Sequence, residues 1–290
     1  MSTERQVVLL PWHARQLGPT MVRRVREASK FTRWVGADLY VLIGADPSPQ
    51  KVLSIQEQLL STLGGDLTSV VIETEADEMV AATRKALERR KTDLVMLVAE
   101  PGKSHPAPWQ RELVEKAAEP ILLVHSLARI GPVTSILVPM KGAVSGRDSA
   151  LDFGIQEAVK LRVPLDILHV TPEGGGDHSL IGETSDVFYH EYPHQLEGMI
   201  AEASPMSSVA DREGIRRFIH VRGEETSEIL HALAGCEDSL IVMQWDGSFA
   251  PGRSEKIKLV LRSSPCPLLL IKHTDEKAST LRIGDTEIAA

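Results

Sequence analysis

The sequence predicts an α/β protein built from two doubly wound domains in tandem, each with a five-stranded parallel sheet. Three observations support this prediction. Short apolar segments alternate with helix-length segments along the chain, the same order of segments occurs twice, and the apolar segments are continuous runs rich in Val, Ile and Leu. Strands of that kind are buried on both faces, which requires helices above and below a parallel sheet.

The repeat is visible at both ends of each half. Residues 7–11 (VVLLP) resemble residues 135–139 (SILVP), and residues 120–124 (PILLV) resemble residues 267–271 (PLLLI). The second pair is offset by 147 residues, and the strand before it in each half shows the same offset. That stretch therefore carries no net insertion, and the two halves are predicted to share one fold.

Each half reads as strand and helix in alternation. Strands are predicted at residues 7–10, 38–43, 94–98 and 119–124, and again at 135–139, 165–170, 241–245 and 266–271. Helices are predicted where apolar residues recur three and four positions apart, as Met21, Val25 and Ala28 do. These helices cover about residues 21–35, 52–63, 77–90, 108–118, 151–159, 188–203, 224–234 and 253–262.

Composition sets the expected domain boundaries. The first domain is predicted at residues 1–127 and the second at residues 133–273, with residues 125–132 joining the halves. Residues 274–290 are polar and are expected to form a frayed tail. Residues 171–186 contain three successive glycines and are expected to form an inserted mobile loop.

Length and charge allow two hydrophobic cores and exclude several classes of protein. The chain has 290 residues, 42% of them hydrophobic, and a formal net charge of −8. An acidic protein repels a phosphate backbone on average, so nucleic acid is not expected as a main partner. The two cysteines are too few for a disulfide scaffold and no signal-peptide pattern is present, which predicts a cytoplasmic location. Every apolar run is shorter than the roughly 20 residues of a bilayer span, so no membrane insertion is expected.

Ligand sites in such sheets lie beyond the carboxyl ends of the strands, where the strand order reverses. With flavodoxin-like (Rossmann-like) order, this point falls between the first and fourth strands of each half. The candidate loops are therefore residues 12–19 and 99–108 in the first half, and residues 140–146 and 244–252 in the second.

Two copies of this arrangement resemble the universal stress protein family in its tandem form. The resemblance rests on Val-Pro at residues 138–139, Val-Met at residues 242–243 and the run CPLLL at residues 266–270, in their order and spacing. It implies a non-enzymatic regulatory or binding protein of the stress response, whose halves pair through their last strands inside one chain. A homodimer through other surfaces, and docking on a transporter or another protein, stay open.

Many members of this family bind ATP through a G-x-x-G-x(9)-G-[ST] loop after the fourth strand and an aspartate after the first. Glycines in such a loop free main-chain N–H groups to hold phosphates. In the second half, Gln244 and Gly247 stand at the first two glycine positions, and Ile257 and Lys258 stand where Gly-[ST] is expected. Lys141 aligns with the aspartate. The resemblance therefore implies an altered site with weak anion or nucleotide binding.

The candidate binding residues surround that second loop. They are Pro139, Met140, Lys141, Gln244, Gly247, Ser248, Gly252, Arg253 and Ser254. Asp246 and Glu255 oppose an anion there. Three interpretations stay open: a solvated loop without cofactor, a site for ATP or another adenine nucleotide, and slow nucleotide hydrolysis. No catalytic residue is predicted, because no general base accompanies the phosphate loop.

The first half departs further from the family pattern. Residues 97–100 (LVAE) replace the start of the phosphate loop, and Pro101, Pro106 and Pro108 each lack an N–H group. His13 stands at the aspartate position. The first half is therefore predicted to be a degenerate copy that serves as a scaffold or in dimerisation.

Three further features of the sequence are a zinc-like motif, a cysteine at the start of a strand and a basic run. His190 and His194 match H-E-x-x-H, but Pro193 disrupts the helix that this motif needs, so a zinc-dependent hydrolase is a remote alternative. Cys266 begins an apolar strand and is expected to be a small buried residue. Residues 23–26 (RRVR) are expected on a solvated helix face.

Overall fold

The computed structural model describes residues 6–46, 48–63, 70–99, 106–125, 128–140, 149–171, 216–234, 238–245, 247–249 and 255–272. The strands in these ranges are β1 (Val7–His13), β2 (Asp38–Gly44), β3 (Val70–Thr74), β4 (Leu94–Val98), β5 (Ile121–Val124), β6 (Ser135–Met140), β7 (Leu165–Thr171), β8 (Arg216–Arg222), β9 (Ser239–Trp245) and β10 (Leu268–Lys272). The helices are α1 (Pro19–Trp34), α2 (Pro49–Leu63), α3 (Met79–Arg89), α4 (Pro108–Lys116), α5 (Ser149–Leu161), α6 (Glu225–Ala232) and α7 (Glu255–Ser263).

The described strands form one ten-stranded sheet in the order β3-β2-β1-β4-β5-β10-β9-β6-β7-β8. Within the first half (β1 to β5) and the second half (β6 to β10), neighbouring strands are parallel. β5 and β10 are antiparallel, with Leu122 opposite Leu269. The predicted α/β fold class is confirmed, and the final strands of the two halves pair inside one chain as predicted.

Helices cover both faces of the sheet, as the continuous apolar strands require. Val8 and Leu10 of β1 share a hydrophobic cluster with α1, α2 and α5 on one face. Leu9, between them, packs with Ala82 and Ala86 of α3 on the other face. The second face also carries α4, α6 and α7. Successive side chains of a strand point to opposite faces, so one buried strand contributes to both layers.

The first strand is longer than the prediction. It continues through Trp12 and His13, because Ile43 and Gly44 of β2 provide pairing partners beyond Pro11. Residues 12 and 13 therefore belong to the strand and not to the loop that follows it. The candidate loop of the first half is shortened accordingly.

The segment between the halves is packed against α1. Ala128, Ile130 and Val133 are buried. The guanidinium of Arg24 donates to the carbonyl oxygen of Ala128 at 2.8 Å and to that of His125 at 3.4 Å. Arg24 is only 3% exposed, so its prediction as part of a solvated face was wrong. The physical reason is that carbonyl groups leaving the end of β5 need donors, and a long side chain with five N–H groups can supply them.

The structure also tests the predictions for Cys266 and for membrane-spanning helices. Cys266 is buried, which confirms its assignment. The glycine-rich insertion after residue 171, the predicted helix at 188–203 and the tail at 274–290 lie outside the described residues. In the part of the chain that is described, no helix has the length and apolar character needed to cross a bilayer.

Candidate functional site

Five of the predicted binding residues lie at the exits of two neighbouring parallel strands. β6 pairs with β9, with Leu137 opposite Ile241, so both strands end at the same edge of the sheet. The five are Pro139 and Met140 at the end of β6, and Gln244, Gly247 and Ser248 at or after the end of β9. The other predicted residues, Lys141, Gly252, Arg253, Ser254, His190 and His194, lie outside the described residues. Within the described ranges, no group of three or more metal-ligating side chains is present.

Gly247 begins the short segment after β9 (residues 247–249), which we call the β9 loop. Its φ of +81° is a conformation that residues with a side chain rarely adopt. A Cβ atom at this position would also lie 2.9 Å from Cε of Lys272. The positive φ favours glycine at this position, and the Lys272 side chain, which lies directly against the loop, would have to shift to admit a Cβ.

Lys272 is a residue of this site that the sequence prediction missed. It ends β10, and its Nζ donates to the main-chain carbonyl oxygens of Glu115 at 3.0 Å and Ala117 at 3.4 Å. These carbonyls belong to the last turn of α4 and the residue after it, where a cation is favoured by the helix dipole. The offset of 147 residues aligns Lys272 with His125. This alignment was the signal in the sequence that Lys272 lies at the end of a central strand.

Glu115 also reaches the β9 loop through its side chain. The main-chain N–H of Phe249 donates to Oε1 of Glu115 at 2.7 Å. The ring of Phe249 packs on the buried Trp245, with 5.0 Å between the ring centroids. An amide of the loop predicted to hold phosphate therefore holds a carboxylate of the first half.

The corresponding exit in the first half is filled by Gln110. This side chain is 3% exposed, and its Nε2 donates to the carbonyl oxygen of Val98 at 2.7 Å. Its Oε1 accepts from the main-chain N–H of Ala107 at 2.8 Å, at the start of α4. One amide side chain thus forms hydrogen bonds with a main-chain carbonyl at the end of β4 and with a main-chain N–H at the beginning of α4. A phosphate would be expected to bind at this helix start.

Polar groups at the end of β1 also form hydrogen bonds with the residues that directly follow the strand. The indole Nε1 of Trp12 donates to the carbonyl oxygen of Gln16 at 3.1 Å. Nδ1 of His13, which aligns with the family's aspartate, accepts from the N–H of Arg15 at 3.1 Å. His13 therefore stabilises the turn that follows β1.

A small cavity remains between the halves near the end of β5. Its lining includes Leu97, Gln110 and His125 of the first half and Leu261 of α7. It has room for about one water molecule, far less than a nucleotide needs. Burial, together with the nearby charge of Arg24, lowers the pKa of the His125 imidazole.

Comparisons with known proteins give a consistent structural answer. The sequence matches no protein-family model and no curated protein. A universal stress protein from Archaeoglobus fulgidus DSM 4304 is 17% identical, with a TM-score of 0.63 over 94% of this chain and 100% of that chain. A structure assigned to the universal stress proteins, from Pseudomonas aeruginosa UCBPP-PA14, is 14% identical, with a TM-score of 0.61 over 92% and 93%.

A transporter module has a similar structure. The cytoplasmic domain of a prokaryotic cation chloride cotransporter is 13% identical, with a TM-score of 0.57 over 92% of this chain and 95% of that chain. At these identities, the comparisons establish the architecture and not the activity. The sequence resemblance and the structural neighbours agree, and the chain therefore shares the fold of universal stress proteins.

Proposed function

We propose that this chain is a tandem universal stress protein that acts as a non-enzymatic regulatory binding protein in the cytoplasm. Its likeness to universal stress proteins over more than nine tenths of its length supports this proposal. The first half serves as a scaffold. The second half binds a phosphate-bearing ligand weakly, with ATP or another adenine nucleotide as the candidate.

This assignment of a scaffold role to the first half and a binding role to the second depends on the hydrogen bonds of the Gln110 side chain. It takes the N–H of Ala107 and the carbonyl of Val98, the groups that an incoming ligand at the first exit would have to meet. In the second half, Gly247 keeps the backbone freedom of an anion-binding loop, and the ammonium of Lys272 lies beside it. Positive charge together with main-chain amides is the chemistry that recognises phosphate.

The non-enzymatic part of the proposal rests on the types of the nine binding residues predicted from the sequence; Glu115, the carboxylate that reaches the β9 loop, accepts from the Phe249 N–H. The predicted binding residues include no carboxylate and no histidine, so none of them is an evident base for activating water. Slow nucleotide hydrolysis in the second half is the alternative. It predicts release of inorganic phosphate that is lost when Gly247 is changed.

A partner protein is the second element of the proposal. The same fold occurs as the cytoplasmic domain of a cation chloride cotransporter, which supports docking on a transporter as a role for this chain. The ten-stranded sheet already pairs the final strands internally, so a homodimer would use surfaces other than β5 and β10.

The decisive experiment measures nucleotide binding by the full-length chain. Acid extraction and chromatography should find less than one nucleotide per chain, and equilibrium dialysis should show weak, saturable ATP binding. The variant Gly247→Ala should weaken this binding, because its Cβ meets Lys272. Gly131→Ala is the matched control, since a Cβ there meets nothing within 4 Å. Two tightly held nucleotides per chain would contradict the proposal.

A further inference from the structure

Two contacts from the second half converge on the end of α4. The Phe249 N–H binds the Glu115 side chain at 2.7 Å, and Lys272 binds the main-chain carbonyl of the same residue at 3.0 Å. Residue 115 is 134 positions from Phe249 and 157 from Lys272 along the chain. The β9 loop and the end of β10 are thereby joined to the first half at one residue.

The Glu115 contact uses the same chemistry as anion binding. A carboxylate oxygen and a phosphate oxygen are both acceptors for a main-chain N–H. A given N–H donates one well-aligned hydrogen bond, so it binds only one of them at a time. Because Glu115 belongs to the same chain, its carboxylate is present at a high effective concentration at the loop. Its negative charge also repels a second anion that approaches.

The internal repeat does not have an acid at this position in both halves. The offset of 147 residues aligns Glu115 with Arg262 on α7. α7 also lies near the first half, since Leu261 lines the cavity beside Leu97 and Gln110. The aligned position thus holds a carboxylate in the first half and a cation in the second.

We propose that Glu115 is an intramolecular competitor at the second-half anion site. A phosphate-bearing ligand binds the β9 loop by displacing the Glu115 carboxylate from the Phe249 amide, and this loosens the contact between α4 and the second half. Lys272 stays beside Gly247 and faces the incoming anion. The inference rests on the proposed function, because it assigns regulation to the same site.

The test compares three full-length proteins with inorganic tripolyphosphate in isothermal titration calorimetry at constant ionic strength. Glu115→Ala should bind tripolyphosphate at least about tenfold more tightly than wild type, a change of about 1.4 kcal/mol. Glu112→Ala is the matched control. It removes the same charge from the same helix, but Glu112 pairs with Lys116 at 2.6 Å, and its affinity should equal that of wild type. Equal affinities for Glu115→Ala and Glu112→Ala would overturn the inference.

The outcomes separate this inference from the proposed function. If wild type binds tripolyphosphate and Glu115→Ala binds it no more tightly, Glu115 is not a competitor, and the proposed weak anion site in the second half is supported. If only Glu115→Ala binds, the competitor is right and the proposed wild-type binding is wrong. If no protein binds, both are overturned. Glu115→Gln keeps an acceptor for the Phe249 amide without the charge, so it should show intermediate affinity even if the alanine variant folds poorly.

A second measurement tests the loosening of the junction directly. Tripolyphosphate should increase hydrogen exchange in the wild-type peptide that covers the end of α4, because Glu115 is released. The same ligand should leave exchange at this peptide unchanged in Glu115→Ala. Unchanged exchange in wild type at saturating tripolyphosphate would contradict the displacement.

Discussion

Arg24 and Glu27 form an ion pair of 2.7 Å on α1, whereas Gly154 and Glu157 stand at the same distances from the first residue of α5. A Cβ atom at Gly154 would lie 2.6 Å from Cγ2 of Val138, so the close approach of α5 to β6 leaves no room for an arginine. Glu157 is 2% exposed, and its Oε2 has no hydrogen-bond partner among the described residues. Burial raises the pKa of Glu157 to about 7, although the nearby charge of Lys160 opposes this shift.

Glu157 should make the stability of the protein depend on pH. Its pKa is about 7 in the folded state and near 4.5 in the unfolded chain, so between these values the folded state holds a proton that the unfolded state releases. The contribution of Glu157 to the free energy of unfolding should therefore fall as pH rises through this window, by about 3 kcal/mol in total. Urea unfolding at several pH values measures the slope.

The variant Glu157→Gln should flatten this pH dependence and be more stable than wild type above the window, because an amide cannot ionise. Glu57→Gln, at an exposed position of α2, is the control and should keep the wild-type slope. Indistinguishable slopes for wild type and Glu157→Gln would show that Glu157 does not titrate in this range.

Arg24 should contribute strongly to stability through the segment that joins the halves. Arg24→Ala leaves the buried carbonyl of Ala128 and the half-buried carbonyl of His125 without this donor, and should lower the free energy of unfolding by about 3 kcal/mol. Arg23→Ala is the control: this side chain is 56% exposed and lies 3.8 Å from Glu27, so its loss should cost less than about 0.5 kcal/mol. Chemical denaturation compares them, and equal losses would refute the structural role of Arg24.

Gln110 should be required for stability at the first exit and not for ligand binding. Gln110→Ala removes two hydrogen bonds, one buried and one half-buried, and should lower the free energy of unfolding by about 2 kcal/mol. Gln58→Ala, on the exposed face of α2, should change it by less than about 0.5 kcal/mol. ATP binding by the folded Gln110→Ala protein should match wild type. A marked loss of ATP binding would place the ligand in the first half.

Lys272 should act on both stability and anion affinity. Lys272→Met removes the donor to the carbonyls at the end of α4 and should cost about 1 kcal/mol of stability. It also removes the cation beside Gly247, so tripolyphosphate should bind several-fold more weakly. Lys116→Met removes an equal charge from a 54% exposed side chain and should leave affinity unchanged. Calorimetry distinguishes the two variants, and equal affinities would remove Lys272 from the site.

Much of the candidate site was predictable because strand order and chain periodicity determine which loops meet. Continuous apolar runs predicted parallel strands, and parallel strands bring Met140 and Gln244 to one edge of the sheet. The positive φ of Gly247 agrees with its place in a glycine-containing loop. Glu115, Phe249 and Lys272 were missed, because neither a main-chain acceptor nor a main-chain donor leaves a pattern in side-chain types.

The amino-acid sequence by itself determined the repeat, the alternation of strands and helices, and the burial of residues such as Cys266. These follow from local periodicity and apolar composition, which act on neighbouring residues. Only the tertiary structure decided that Glu115 would hold the Phe249 amide, that Arg24 would be buried under the linking segment and that Glu157 would lack the partner that Glu27 has. Each of these depends on which groups the fold brings within hydrogen-bonding distance, and the first also depends on the antiparallel junction of β5 and β10, which joins the halves.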